Sequence, residues 1–358
     1  MDLIVLKFSL FEPIAQFFGW LTRIFFDFFG NYGVAIIVLT VVIRAALIPL
    51  NIRSQRSMIK MQALSGKTAE LQRKYGDDKQ RYQEEVMKMQ KENGAMGFSG
   101  CLLPFIQMFL LIPMYRIVSG PLHYISRVPK EDINSMIELA KDQGFAEGKG
   151  FRALSEINHI GLIDILNHNS EFMHQCIAKG YIAMGQMMDL NFLGVDLTKV
   201  PSWKPLEIIR DPATYLPLLM FPLLVLIINL AQMKLMQFLK PGYKEQKEAK
   251  AREKNNPARA GQTPEDQAEA TTKMMNWMMP LIMLWTTFSL PAAMGLYWII
   301  GGIMGITTNV ITYFLFTKPY ELKKKEVEAK KANAFKKNKD TSGSSDNNGN
   351  KGKKKKKK

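Results

Sequence analysis

The chain is poor in the residues that carry covalent and metal chemistry. In 358 residues it has two cysteines, Cys101 and Cys176, so no disulfide framework holds the fold together. The topology derived below puts them on opposite sides of a membrane, out of each other's reach. Four histidines, His123, His159, His168 and His174, fall in one region, and with Cys176 they match no zinc-ligand spacing. No metal site and no cofactor is expected. There is no Walker-type phosphate loop and no nucleophile–base arrangement, so the chain reads as something other than an enzyme. No internal repeat of fixed period is visible. The long apolar runs contain neither Asp nor Glu, which leaves an intramembrane catalyst without an acid or base.

What is present is apolar runs and lysine, kept apart. A mean hydropathy near zero resembles that of a soluble protein, but only because the two populations cancel. The first run, residues 33–52, is long enough to cross the roughly 30 Å hydrocarbon core of a bilayer as a helix. An arginine sits past its middle. Arg44 lies nine residues before the next base, Arg53, or about 13 Å deeper along a helix. A charge there costs about 2.5–3.5 kcal/mol even on the lenient insertion scale. Arg44 either snorkels to the cytoplasmic headgroups or faces a water-filled cavity. Further spans read at 100–118 (with Gln107, Pro104 and Pro113), 214–232, 274–290 and 292–316. The last two are joined so closely that they should be antiparallel neighbours. Glycines in the fifth, among them Gly295, Gly301, Gly302 and Gly305, allow close helix approach.

Between the spans the chain changes character. Residues 1–32 contain a phenylalanine-rich helical face (Ile14, Phe18, Leu21, Phe25, Phe28) opposite Glu12, Gln16, Arg23 and Asp27, with Trp20 as a belt residue. That pattern predicts an amphipathic helix lying in the outer membrane interface rather than a cleaved signal peptide. Residues 53–99 are rich in helix formers and punctuated at Gly76, Asp77 and Asp78, which predicts a basic helical hairpin. Region 119–213 holds no span and is slightly acidic, with helical stretches expected at 133–140, 151–166 and 172–188. The loop 233–273 is basic, and the tail 317–358 is lysine-rich, of low complexity and expected to be disordered. Hairpin, loop and tail together hold 35 of the 48 lysines and arginines, which makes their side cytoplasmic and puts the N-terminus and region 119–213 outside.

Three stretches then carry a family likeness: Ile43-Arg44-Ala-Ala-Leu-Ile-Pro49-Leu50 running into the hairpin, Gly100-Cys101-Leu-Leu-Pro104-Phe-Ile-Gln107-Met108, and Met279-Pro280 through Leu290-Pro291-Ala292-Ala293 to Leu296-Tyr297-Trp298. With Phe192-Leu-Gly-Val-Asp196-Leu197, they make the chain resemble the YidC/Oxa/Alb membrane-protein insertases, in the five-span form of Gram-positive-type bacteria. It departs from that pattern in having Phe109 after Gln107-Met108 with the proline at Pro113, Ser65-Gly66 in the hairpin, and extra external residues 122–188 of no family function.

The resemblance implies an all-α polytopic membrane protein of the bacterial cell membrane. Five transmembrane helices would enclose a hydrophilic groove open to the cytoplasm. Arg44, Gln107, Gln232 and Trp298 are its candidate lining. Gln107 and Gln232 are equally suited to interhelical hydrogen bonds, and Trp298 to packing. Nascent membrane proteins would be the substrates, their polar tails entering the groove while their apolar helices leave along Met108, Leu111, Met279 and Met283. Lys353, Lys354, Lys355, Lys356, Lys357 and Lys358 would bind a polyanion, ribosomal RNA or anionic lipid. Whether a Sec translocon takes part stays open, and a single copy is expected to be the working unit. The rival reading is a small-anion transporter or channel using Arg44; five spans without inverted repeats do not suggest it.

Overall fold

The computed structural model describes residues 11–75, 78–94, 98–145, 154–239 and, with short gaps, 274–333; Gly76, Asp77 and Lys353–Lys358 lie outside the described residues, as does Met279. The described residues are mostly helical. Among the described residues the only strands form one two-residue antiparallel pair.

The first helix, α1 (Glu12–Phe29), starts at Pro13 and stops at Gly30, whose φ of 65° lets its N–H return to the Phe26 carbonyl at 2.8 Å. Asn31 then restarts the chain by accepting the Val34 N–H on its side-chain oxygen. The next helix, α2 (Tyr32–Ala63), runs unbroken through Pro49 for 32 residues, about 48 Å at 1.5 Å per residue. The first span therefore continues without a joint into the first arm of the predicted hairpin. Helices α3 (Ser65–Tyr75) and α4 (Lys79–Glu92) follow and pack on each other, α4 capped by Asp78 on the Arg81 N–H. Helix α5 (Phe98–Ser119) leads to the single turn α6 (Pro121–Tyr124).

The region beyond is folded. It holds α7 (Lys130–Asp142), α8 (Ile160–His168) and α9 (Ser170–Ala178). The helix expected over 172–188 ends early, because Gly180 adopts φ 76° and only a 3-10 turn, Met184–Gln186, follows. The expected stretch 151–166 is helical only from Ile160, its first three residues lying outside the described residues. Ile133, Met136, Leu162, Phe172 and Cys176 are fully or almost fully buried and belong to the same hydrophobic cluster as Met114, Ile117 and Leu122 near the end of α5. The region thus grows out of the bundle core and has no separate one.

The strands β1 (Asn191–Phe192) and β2 (Val195–Asp196) turn through Leu193 and Gly194, both at positive φ as a tight hairpin requires. Phe192 presses on Gly33, where any Cβ would overlap its ring. Beyond β2, the carbonyls of Leu197 and Lys199 accept the N–H groups of Ala293 and Ala292. The Phe192–Leu197 motif therefore ties the N-terminal ends of two long helices together. The short α10 (Pro205–Arg210) precedes α11 (Pro212–Phe238), capped by Asp211 on the Thr214 N–H. A helical segment α12 (280–287) and the long α13 (Ala292–Thr312) complete the bundle. Helix α13 winds as a π-helix over Tyr313–Thr317 before continuing.

Helix α13 lies between α2 and α11; α2 also packs on α1 and α5. Among the described residues three helical stretches are long and apolar enough to cross a membrane: Tyr32–Ser57, Pro212–Phe238 and Ala292–Val327. A shorter apolar stretch, Phe109–Ser119, lies in α5.

Candidate functional site

Four polar residues of α2 fall on one stripe. Thr40, Arg44, Asn51 and Gln55 are separated by four, seven and four residues, whole turns of a helix, so they share a face. That face meets α13. The guanidinium of Arg44 lies on Gly301, where a Cβ would come within 2.5 Å of Nη2. The two helices approach through the arginine head itself, and a side chain at 301 would have to displace the guanidinium. The Tyr297 ring, one turn earlier on α13, stands 5.8 Å from the guanidinium carbon, a cation–π arrangement worth about 0.5–2 kcal/mol. Among the described residues Arg44 has no carboxylate partner and its buried Nε has no hydrogen bond; the buried Asn51 Oδ1 has none either. A buried polar atom left unpaired costs about 1–3 kcal/mol, so this stretch of helix interface favours contact with a polar or charged group.

The stripe continues toward the end of the membrane run. Gln55 donates from Nε2 to Asn309 Oδ1, beside buried Thr308 and Thr312, and Arg56 lies over the ring of Phe316, within the π-helical turn, at 3.6 Å. Asn309 is only 9% exposed.

Of the other lining candidates, Gln232 on α11 sits against Gly305, a Cβ there coming within 2.8 Å of its Nε2. Gly301 and Gly305 are one turn apart, so α13 brings Arg44 and Gln232 to neighbouring levels. Trp298 is 6% exposed and packed in the apolar cluster, while its neighbour Tyr297 faces the arginine. Gln107 and Met108 fall on α5, but their side chains lie outside the described residues. Leu111 and Met283 are partly buried against the core, whereas Phe109, Leu281, Ile282 and Trp285 are the exposed residues beside them. Sequence reasoning missed Tyr297, Asn51, Gln55 and Asn309. A signal was available for two of them: extending the Arg44 face by whole turns reaches Asn51 and Gln55, had the helix not been divided at residue 52.

Outside the bundle, burial shifts two titratable groups. His159 is buried where its backbone N–H reaches the Ser119 carbonyl at 2.7 Å, and burial drops its pKa from the ordinary 6.5 to about 4. Burial pushes the Cys176 thiol up to about 11, which keeps it protonated and unreactive.

The chain matches the family model described as 60Kd inner membrane protein over residues 24–318. It is 36% identical over 121 residues to the membrane protein insertase YidC of Clostridium perfringens (strain 13 / Type A), covering 31% of this chain and 51% of that protein. To the YidC of Caldanaerobacter subterraneus subsp. tengcongensis it is 38% identical over 105 residues, 29% of this chain and 51% of that one. To the YidC of Granulibacter bethesdensis it is 40% identical over 111 residues, 28% of this chain and 19% of the other. The similar stretches thus span about half the length of these curated relatives or less.

Proposed function

Since the chain belongs to the 60Kd inner membrane protein family, we propose that it is a membrane-protein insertase: it receives the polar tail of a nascent membrane protein beside Arg44 and releases the apolar helix into lipid. One observation carries this reading. Arg44 is held within a membrane-spanning helix pair, against Gly301 and Tyr297, with no carboxylate among the described residues to neutralise it. A fixed cation in a medium of low dielectric attracts an acidic tail far more strongly than it would in water, and the polar stripe through Asn51 and Gln55 extends that foothold toward the cytoplasm. Nothing in the step requires bond-making, so the protein works as a chaperone of transfer and not as a catalyst of covalent chemistry.

In this reading five helices surround a groove lined by Arg44, Gln107, Gln232 and Trp298, open to the cytoplasm and to lipid. Helices α3 and α4 form a cytoplasmic hairpin, α1 lies in the outer interface, and region 119–213 is external. Leaving helices would slide along Met108, Leu111, Met279 and Met283, joined by the exposed Phe109, Leu281, Ile282 and Trp285. The lysines at 353–358 serve ribosome docking by phosphate neutralisation. Liposomes containing the purified protein should insert a single-span substrate with an acidic N-terminal tail faster than protein-free vesicles; equal rates would refute the function.

A further inference from the structure

One end of α1 carries a cavity that the insertase reading does not use. It measures about 240 Å³ and is lined by Gln16, Trp20, His123, Tyr124 and Arg127, among others. Arg127 has φ 57°, in the left-handed region that non-glycine residues seldom adopt. Its neighbours impose this. Ile125 and Val128 are fully buried, and the Val128 N–H is tied to the Leu122 carbonyl at 2.9 Å. The Gln186 amide also holds the Ser126 carbonyl at 3.1 Å. A strained backbone kept in place by its surroundings puts a cationic side chain at the cavity mouth. That cation has no ion-pair or hydrogen-bond partner among the described residues.

The neighbouring basic groups share one carboxylate. The Glu12 carboxylate pairs with Arg116, accepts the Tyr124 hydroxyl at 3.0 Å, and has His123 Nε2 and Lys130 Nζ each 3.9 Å away. Arg127 is the lining arginine with no carboxylate in ion-pair reach among the described residues. Along α1 the adjoining surface is apolar. Phe17, Trp20, Ile24 and Phe28 are exposed at helical spacing, while the small residues Ala15, Gly19 and Thr22 are buried. Gly19 lies so close to Tyr124 that a Cβ would meet its carbonyl, so α1 is seated firmly with its aromatic face outward. Trp20 belongs both to that face and to the cavity wall. A free cation beside an exposed apolar row, with an indole at their border, has the layout of a phospholipid contact.

We infer that this cavity holds the phosphodiester of an anionic membrane phospholipid, with Arg127 on the phosphate and the acyl region against the exposed face of α1. The inference rests on the reading of α1 as an interfacial helix, and two measurements separate them. In the full chain with Trp20 kept as sole tryptophan and the other four replaced by phenylalanine, vesicles containing bromine-labelled lipid should quench its fluorescence. Absence of quenching would refute the interfacial reading and the site with it. Native mass spectrometry of the full chain should then show phosphatidylglycerol retained about tenfold more weakly by Arg127→Gly than by the parent, and retention kept by Arg127→Lys. Glycine suits φ 57°, so Arg127→Gly should melt no lower than the parent, which separates lost binding from lost folding. Equal retention of phosphatidylcholine, or displacement of the lipid by inorganic phosphate at matched concentration, would overturn the assignment, as would quenching with no change in Arg127→Gly.

Discussion

At the scale of single residues, the contact between Arg44 and Gly301 is the most exposed to test. If Arg44 acts through its field, Arg44→Ala should abolish most insertion of an acidic-tailed substrate in liposomes and Arg44→Lys should keep most of it; loss with Lys as severe as with Ala would mean a specific guanidinium contact. Gly301→Val should approach the Arg44→Ala defect without touching the arginine itself, because a branched side chain would occupy the place of Nη2. His159 makes a prediction of a different kind. Its folded pKa of about 4 lies below its ordinary 6.5, so the fold prefers the neutral ring. Its contribution is complete above pH 6.5 and is lost as pH falls toward 4, with a slope of at most about 1.4 kcal/mol per pH unit. The melting temperature of the detergent-solubilised protein should fall across that window, and His159→Gln should flatten the fall. That Arg44 is out of place in its apolar run was visible in the sequence, because a charge there is costly anywhere. The roles of Gly301 and Tyr297 were not, since only the crossing of two helices puts them opposite it.

At the scale of elements, α2 and α13 are held by different chemistry along their length. Near their N-terminal ends the join is backbone and apolar: Phe192 on Gly33, and Leu197 and Lys199 on the start of α13. Toward the other end it is side-chain polar, through Gln55 and Asn309. A double-mutant cycle with Gln55→Leu and Asn309→Leu, read by thermal unfolding in detergent, should give a coupling of about 0.6 kcal/mol and no more than about 1.7. Additive effects would show that this pair does not bind the helices together. Periodicity and turn residues predicted most of these elements within a few residues. They failed at 172–188, where Gly180 breaks the run; beyond residue 52 the helix of the first span continues unbroken into the charged segment.

At the scale of the whole molecule, the proposed orientation follows from the distribution of basic residues and is open to direct labelling. In a cysteine-free background and right-side-out vesicles, a membrane-impermeant maleimide should label Asn134→Cys on α7 and leave Lys88→Cys on α4 unlabelled until the membrane is opened. The reverse pattern would invert the topology. The region carrying α7, α8 and α9 shares one apolar core with the end of α5. Its removal should therefore destabilise the bundle instead of leaving a shortened but intact protein, as a lower melting temperature of a protein lacking residues 130–178 would show.

Long-range order in this chain comes from two sources. Which segments are apolar enough for lipid, which side collects the lysines, and that Arg44 is out of place in its run are properties of local composition, and the sequence alone determined them. Which residues face Arg44, that Gln55 belongs with the span and reaches Asn309, that Trp298 packs while Tyr297 turns to the cation, and that Arg127 is left without a counter-charge were decided only by tertiary structure. The physical reason is that each of these is a relation between helices whose separation depends on glycines and whose rotation depends on packing. Neither quantity has a signature in the hydropathy of one segment.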